Sequence, residues 1–175
     1  TLDIQAFCAF SLKPLADHEP AQLYAWREDF VRQEIEPRIA PGAPALLERH
    51  RAQGDTLLIT TATNRFITEP IAELLDVAQL IATDPQMRDG RYTGAVLGTP
   101  NFREGKVTRL EAWLNKQPGF DHTTCYSDSH NDLPLLQCAD QAVAVDPDDK
   151  LKAEAKARGW PVISLRTTAA TFLGV

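Results

Sequence analysis

The stretch CYSDSHNDLPLL, residues 125–136, decides the fold of this chain. Apolar residues at 123–126 predict a short strand, and the leucines at the end of the stretch predict a buried helix. The loop between these two elements places Asp128 at the carboxyl end of the strand. Open α/β sheets bind their ligands at that end of their strands, so the stretch predicts both a fold class and the location of a site.

Two carboxylates four residues apart, those of Asp128 and Asp132, suggest a metal site. Carboxylates that lie close together repel each other, and a divalent cation removes that repulsion. Hard oxygen ligands of this kind favour Mg2+. The alternative is a solvated acidic loop in which Asn131 or Ser129 caps the following helix. The residues of the loop leave both interpretations open.

Strand-like and helix-like segments alternate over most of residues 55–165. The near-continuous apolar run at 56–61 is typical of a parallel strand that is covered on both faces. Such alternation predicts an α/β fold with a doubly wound parallel sheet and right-handed crossovers. The other elements predicted in this region are a helix ending at 75, a strand at 80–83, a helix at 103–116, a strand at 141–145, a helix at 148–158 and a strand at 161–165.

Two further places predict the binding of an anion. Thr61-Ala62-Thr63-Asn64 puts hydroxyls and small residues at a strand-to-helix turn, where backbone N–H groups and the helix dipole attract negative charge. The alternative is simple capping by Thr63 or Asn64. Lys106 lies in the first turn of a predicted helix, where a cation is unfavourable and a bound anion would relieve the conflict. The alternative is an exposed surface lysine.

The remaining segments predict helices and one tight turn. Residues 1–38 are predicted to be helical, with Pro20 in a first helical turn. Residues 43–53 predict a short helix that Gly54 ends, with His50 on its surface. Asp89-Gly90 predicts a hairpin between the residues on either side.

Composition excludes several classes of partner. The net charge of −6 argues against a nucleic acid or an anionic membrane, so a phosphorylated substrate would need a local basic pocket. The three cysteines have no metal-like spacing, and Cys125 and Cys138 lie in apolar stretches. We therefore expect buried free thiols and a reducing, cytoplasmic location. No apolar run reaches the length of a membrane span.

Three ordered motifs resemble those of the haloacid dehalogenase (HAD) superfamily: Thr61-Ala62-Thr63-Asn64, then Gly105-Lys106, then residues 127–132. The stretches 89–94 and 102–106 are similar to the phosphoserine-phosphatase-like branch, subfamily IB. The resemblance covers nearly the whole chain. It implies an α/β HAD Rossmannoid core at residues 39–175 and the C-terminal part of a helical cap at residues 1–38.

The resemblance implies a phosphate site. It marks the Thr61 hydroxyl and the Ala62 amide as groups that bind phosphoryl oxygens, and Lys106 as the lysine that neutralises phosphate and nucleophile. Thr61 and Lys106 are therefore the expected catalytic residues of this chain. Asn64 and Asn131 are weaker matches to substrate contacts.

The resemblance also implies a metal and a reaction. Asp128 resembles the direct Mg2+ ligand, and Asp132 resembles the acid that holds a metal-bound water or the lysine. The implied activity is Mg2+-dependent hydrolysis of a small phosphorylated metabolite, phosphoserine-like, through an aspartyl phosphate. One alternative is a non-catalytic module that binds phosphate or a partner. A receiver-like signalling domain is disfavoured, because receivers place their acidic cluster first and their lysine last.

The sequence departs from the family at the first motif, an Asp-x-Asp-x-Thr strand that has no counterpart before Thr61. The resemblance implies that the nucleophilic aspartate lies upstream of residue 1 and that this core lacks its first strand. The 175-residue chain by itself is therefore expected to be inactive. Asp146-Pro147-Asp148 is another Asp-x-Asp, but it follows the fourth motif and no threonine completes it. We interpret it as a turn and a helix start, with Pro147 at the first helical position.

Overall fold

The computed structural model describes residues 3–168 and 171–173, a mixture of helices and mainly parallel strands. The α-helices in this part of the chain are α1 (Ile4–Asp17), α2 (Pro20–Phe30), α3 (Ala43–Gln53), α4 (Arg65–Leu74), α5 (Glu104–Leu114), α6 (Leu133–Cys138) and α7 (Asp149–Arg158). The strands are β1 (Leu58–Asn64), β2 (Gln79–Thr83), β3 (Pro85–Arg88), β4 (Arg91–Val96), β5 (Thr124–Ser127), β6 (Gln141–Val145), β7 (Val162–Ser164) and β8 (Thr171–Leu173). The predicted α/β fold class is confirmed.

The chain divides into two compact units, Thr1–Ile39 with Leu57–Phe102 and Ala40–Thr56 with Arg103–Val175. In the first unit, β1 and β2 form a parallel pair, with Leu58 opposite Gln79, and β3 and β4 form an antiparallel hairpin. The hairpin turns at Asp89-Gly90, where both residues have positive φ, so the predicted turn is confirmed.

The helical segment of the first unit packs against the hairpin. Asp3 caps α1 by accepting from the N–H groups of two residues in its first turn, and Pro20 opens α2 as predicted. The leucines that α1 and α2 bury form one cluster with Phe66 of α4. Full burial of each such side chain stabilises the fold by about 1.5–3 kcal/mol. A π-helical turn, Val31–Ile35, and a 3-10 turn, Glu36–Arg38, follow α2.

In the second unit, β5, β6 and β7 are parallel neighbours, and β8 adds to β7 in the antiparallel direction. Strand β6 is central, and successive side chains point to opposite faces, as the pleat requires. Ala142 and Ala144 pack with α6 and α7, whereas Val143 packs with Leu46 of α3. Helices therefore cover both faces of this sheet, as the doubly wound prediction requires.

Several predictions about single residues were wrong. His50 is not on the surface: its side chain is only 15% exposed, with Nδ1 2.6 Å from Asp55 and Nε2 2.8 Å from the Tyr126 hydroxyl. Cys138, the last residue of α6, is exposed. Pro147 does not open α7, because Asp148 is the N-cap and the helix begins one residue later. Strand β8 was not predicted. The assignment of residues 1–38 to a cap stays a prediction.

Among the residues from 3 to 168 and from 171 to 173, no helix is both long and apolar enough to cross a lipid bilayer.

Candidate functional site

The β5–α6 loop carries a carboxylate without a partner. Asp128 directly follows the last residue of β5, at the carboxyl end of the strand, and its side chain is exposed. Its backbone oxygen accepts from the N–H of Asp148 at 2.8 Å. The carboxylate itself forms no hydrogen bond or ion pair within the described residues. A carboxylate held open at a strand end is available to a cation or to a donor group of a ligand.

The second acid of the loop is paired with a buried lysine. Nζ of Lys106 lies 2.7 Å from Oδ1 of Asp132, and the Ser127 hydroxyl donates to Oδ2 at 2.8 Å. Lys106 is only 6% exposed, and it is the one buried residue of α5. The exposed-lysine interpretation is therefore wrong. The lysine also offsets the charge of Asp132, so that acid does not need a metal ion for neutralisation.

The thiol of Cys125, near this ion pair, is unreactive at neutral pH. Burial is the main cause that raises the pKa of Cys125 to about 12, and the Asp132 carboxylate adds to the rise. The positive charge of Lys106 opposes both effects without cancelling them. The thiolate is the reactive form of cysteine, so Cys125 is not a nucleophile at neutral pH.

Asn131 is oriented by two neighbours. Its Oδ1 accepts from Nη2 of Arg103 at 3.2 Å, and its Nδ2 donates to the Ser129 hydroxyl at 3.3 Å. Ser129 also caps the short turn that starts α6, so the capping alternative holds for this serine. Arg103 has a φ of 48° and a ψ of −118°, a backbone region that non-glycine residues rarely occupy. Arg103 lies in the stretch 102–106 that carried part of the family resemblance, but it was not predicted as a site residue.

The carboxyl end of β1 carries the residues predicted to bind phosphate. The Thr61 hydroxyl accepts from the N–H of Thr63 at 3.2 Å, and the Ala62 carbonyl accepts from the Thr83 hydroxyl at 2.8 Å. Oδ1 of Asn64 accepts from the N–H of Ile67 at 3.1 Å, so Asn64 caps α4. The capping alternative is thus confirmed for Asn64, which lowers its value as a substrate contact because its oxygen is already engaged.

A buried asparagine that sequence reasoning missed holds this strand end in place. Asn101 is fully buried, and its Nδ2 lies 2.9 Å from three acceptors, the Thr60 hydroxyl and the carbonyls of Thr61 and Ile81. Its backbone N–H donates to the Thr83 hydroxyl at 3.0 Å. One side chain therefore ties β1 to β2 just before the residues that were predicted to bind phosphate; these residues belong to β1 itself, not to a turn after it. The residue lies in a segment that the sequence indicates only as loop.

The Asp-x-Asp at 146–148 has structural partners. Oδ1 of Asp146 accepts from the Ser164 hydroxyl at 2.7 Å, and its Oδ2 accepts from the N–H of Leu165 at 3.0 Å. Asp148 caps α7 and accepts from His130. Burial raises the pKa of Asp148, but hydrogen bonds from the backbone of His130 and Leu151 and from the His130 ring outweigh burial and lower that pKa to about 2. Both carboxylates therefore already accept hydrogen bonds that fix neighbouring segments of the backbone.

The predicted site residues fall into two sets. Lys106, Asp128, Asn131 and Asp132 belong to the second unit, where a lysine–aspartate contact joins α5 to the loop after β5. The residues from Thr61 to Asn64 belong to the first unit. No group of three or more His, Cys, Asp or Glu side chains is arranged to hold a metal ion in the described part of the chain. A shallow groove of about 480 Å³ beside Trp160 contains none of the predicted site residues.

These contacts define an α/β protein whose charged groups gather at the carboxyl end of a parallel strand. The chain belongs to the haloacid dehalogenase-like hydrolase family, whose model matches residues 2–137. It is 41% identical over 170 residues to a histidinol-phosphatase of Neisseria meningitidis serogroup C, covering 94% of this chain and 77% of that protein. It is 30% identical over 147 residues to a phosphoserine phosphatase of Mycobacterium tuberculosis, covering 83% of this chain and 48% of that protein.

A solved structure is also similar. A Bordetella pertussis Tohama I protein of unknown function superposes with a TM-score of 0.91 and 45% identity, over 94% of this chain and 75% of that one. The resemblance to the HAD superfamily and to its phosphoserine-phosphatase-like members is therefore confirmed. The chain spans only about half the length of the mycobacterial relative.

Proposed function

We propose that this protein is a Mg2+-dependent phosphatase that hydrolyses a small phosphomonoester. The observation that carries the proposal is the buried pair of Lys106 and Asp132. Asp132 lies four residues after Asp128, whose exposed carboxylate has no partner among the described residues. A buried lysine is costly unless its charge has a use or a partner. Here it has a partner, and it lies in the first turn of a helix, where negative charge is favoured.

Phosphate contacts are proposed for each set of residues by itself. Lys106 would offset the negative charge that builds up on the transferring phosphoryl group, since catalysis of this reaction is mainly positioning and charge stabilisation. The order of the motifs assigns the Thr61 hydroxyl and the Ala62 amide to the phosphoryl oxygens. One N–H of the Asn131 side-chain amide is available to the phosphate, because only one of the two Nδ2 hydrogens is needed for Ser129.

The residues present fit a magnesium ion. Mg2+ keeps several waters and is commonly held by one or two carboxylates together with substrate phosphate, so a cluster of three protein acids is not required. Asp128 has its carboxylate available, and Asp132 is engaged by Lys106 and Ser127 and would act through a bound water. When bound, the ion would neutralise phosphate charge and help to align the phosphoryl group.

The attacking group is proposed to be an aspartate upstream of residue 1, as the order of the motifs implies. The acids of the Asp-x-Asp at 146–148 are poor substitutes, because their oxygens already accept hydrogen bonds from loops and from a helix end. A cytoplasmic location is part of the same proposal, and the thiols of Cys8, Cys125 and Cys138, which form no disulfides, are consistent with it.

The substrate class is proposed from the relatives. Two of them are named histidinol-phosphatase and phosphoserine phosphatase, after substrates that are both phosphate esters of small molecules with an amino group and a hydroxyl. We therefore propose a small phosphomonoester that carries an amino group near the esterified hydroxyl. The helical segment before Ile39 would supply the contacts that choose between such substrates.

The test uses the full-length gene product with histidinol phosphate, phosphoserine and p-nitrophenyl phosphate, with Mg2+ and with excess chelator. We expect turnover that needs Mg2+ and that falls by at least about 100-fold in Asp128→Asn and in Lys106→Ala. Asp149→Asn is the matched control, since Asp149 is also exposed but lies in α7. A full-length protein that binds phosphate but hydrolyses none of these esters would favour the non-catalytic alternative and reject the proposal.

A further inference from the structure

Asp148 is bonded to the metal-site loop at three points. Its N–H donates to the backbone oxygen of Asp128 at 2.8 Å, and its Oδ2 accepts from the N–H of His130 at 2.8 Å. The His130 ring Nδ1 lies 3.0 Å from the same Oδ2. These contacts hold the loop on both sides of Ser129. The backbone direction at Asp128 is therefore determined by a residue twenty positions further along the chain.

Asp148 is itself held firmly. Its other carboxylate oxygen, Oδ1, accepts from the N–H of Leu151 at 2.8 Å and caps α7. That helix is anchored by Leu151 and Ala155, both fully buried. Hydrogen bonds to an ionised carboxylate are shorter and stronger than those between neutral groups. The brace on the loop after β5 therefore rests on a helix in the core of the second unit.

Asp146 provides an internal comparison in the same turn. It is also half-buried, and it also accepts one hydroxyl and one backbone N–H. Its partners, Ser164 and Leu165, lie in and just after β7, away from the loop that carries Asp128. The two aspartates thus accept similar hydrogen bonds, but only Asp148 contacts the loop that carries Asp128.

We propose that Asp148 is a positioning residue for the cation site: by bracing the backbone of residues 128–130, it presents the Asp128 carboxylate to Mg2+. The inference rests on the proposed function, because it takes Asp128 as the Mg2+ ligand. It adds a residue that the motifs of the family do not mark, and it gives a role to the Asp-x-Asp at 146–148. Groups that orient a metal ligand typically change metal affinity 10–100-fold when they are lost.

The competing explanation is that Asp148 is only a helix cap. Asn is about as good an N-cap as Asp, so Asp148→Asn keeps the bond to Leu151. Its amide has one acceptor oxygen, so it cannot also accept from the His130 N–H. Asp148→Asn therefore removes the bond from the His130 N–H and keeps the bond that caps α7. His130→Ala separates the ring from the backbone, because it removes the imidazole and keeps the N–H.

The experiment is a Mg2+ titration of the metal-free full-length protein by calorimetry, with the backbone amide resonance of His130 followed by NMR. We expect Asp148→Asn to weaken Mg2+ binding by at least about 10-fold and to shift the His130 amide, in a variant that stays folded at the temperature of the titration. Asp146→Asn, the matched control, should leave the Mg2+ affinity within about twofold, and so should His130→Ala. Wild-type Mg2+ affinity in Asp148→Asn, or an equal loss in Asp146→Asn or His130→Ala, would overturn the inference.

Asp128→Asn is titrated in parallel. If it binds Mg2+ as tightly as wild type, the proposed metal site is wrong and the positioning role falls with it. If Asp128→Asn binds weakly while Asp148→Asn binds normally, the metal site stands and only the positioning role is rejected.

Discussion

Replacing Lys106 by alanine tests whether its charge is buried and paired in solution. Two effects of this change have opposite signs. Removing a cation from the first turn of α5 should stabilise the helix by about 0.3–1 kcal/mol, because the amino end of a helix disfavours positive charge. Removing one partner of a buried ion pair should destabilise the fold by about 3–5 kcal/mol, because the remaining charge is left buried without a partner.

The structure decides which effect is larger. Lys106 is 6% exposed, and among the described residues Asp132 keeps only the Ser127 hydroxyl once the lysine is removed. The loss of the pair should therefore dominate. We expect a net destabilisation of about 2–5 kcal/mol, the difference between the two effects. Replacing Asp132 as well should recover part of this loss, with a coupling energy of about 1–3 kcal/mol in a double-mutant cycle.

The assay is urea unfolding of wild type and variants, with the midpoint and the slope compared. Lys13→Ala is the control, since Lys13 forms an ion pair with Asp17 but is 70% exposed. Exposed pairs contribute little, so we expect a change within about 0.5 kcal/mol. A Lys106→Ala variant as stable as wild type, or more stable, would refute the reasoning, because only the dipole effect would then remain.

Three further predictions follow from single contacts. Asn101→Ala should lose about 2–3 kcal/mol of unfolding free energy, since buried carbonyls lose their donor, whereas exposed Asn115→Ala should not; equal losses would contradict this. The pKa of Asp148 is lowered from 3.8 to about 2, so the contribution of its ionised carboxylate to folding stability should be complete above about pH 5 and lost as pH falls towards 2. Over this range the urea midpoint of wild type should fall more steeply than that of Asp148→Asn, and equally steep falls would argue against this contribution. With a thiol reagent at pH 8, exposed Cys138 should react in the folded protein and Cys125 only after unfolding, as mass spectrometry of the labelled peptides would show or disprove.

Many elements were predictable because their signals are local. The helix at 43–53 ends at Gly54, whose φ of 81° suits glycine, and the hairpin turns at Asp89-Gly90. Strand β6 matches the predicted range of 141–145, since an apolar run between turn signals needs no distant information. The same holds for the position of Asp128, which follows from the end of a strand.

Other features needed partners that are far away in the chain. The sequence shows that Lys106 places a positive charge at the unfavourable amino end of a helix. Only its contact with Asp132, twenty-six positions later, shows how that charge is balanced. Asn101 lies in a stretch that the sequence indicates only as loop, yet it bonds to both strands of the first parallel pair. His50 was placed on the surface, because its bond to the Tyr126 hydroxyl depends on how α3 packs.

The amino-acid sequence by itself determined which chemical groups this protein has and at which strand ends they fall, because strand, turn and cap signals extend over only a few residues. The tertiary structure alone decided which of those groups are already engaged. Asp128 has its carboxylate available while Asp132 and Asp148 do not, although all three are acids near a strand end. Burial and pairing come from residues that only folding brings together, and a residue type does not specify its partner.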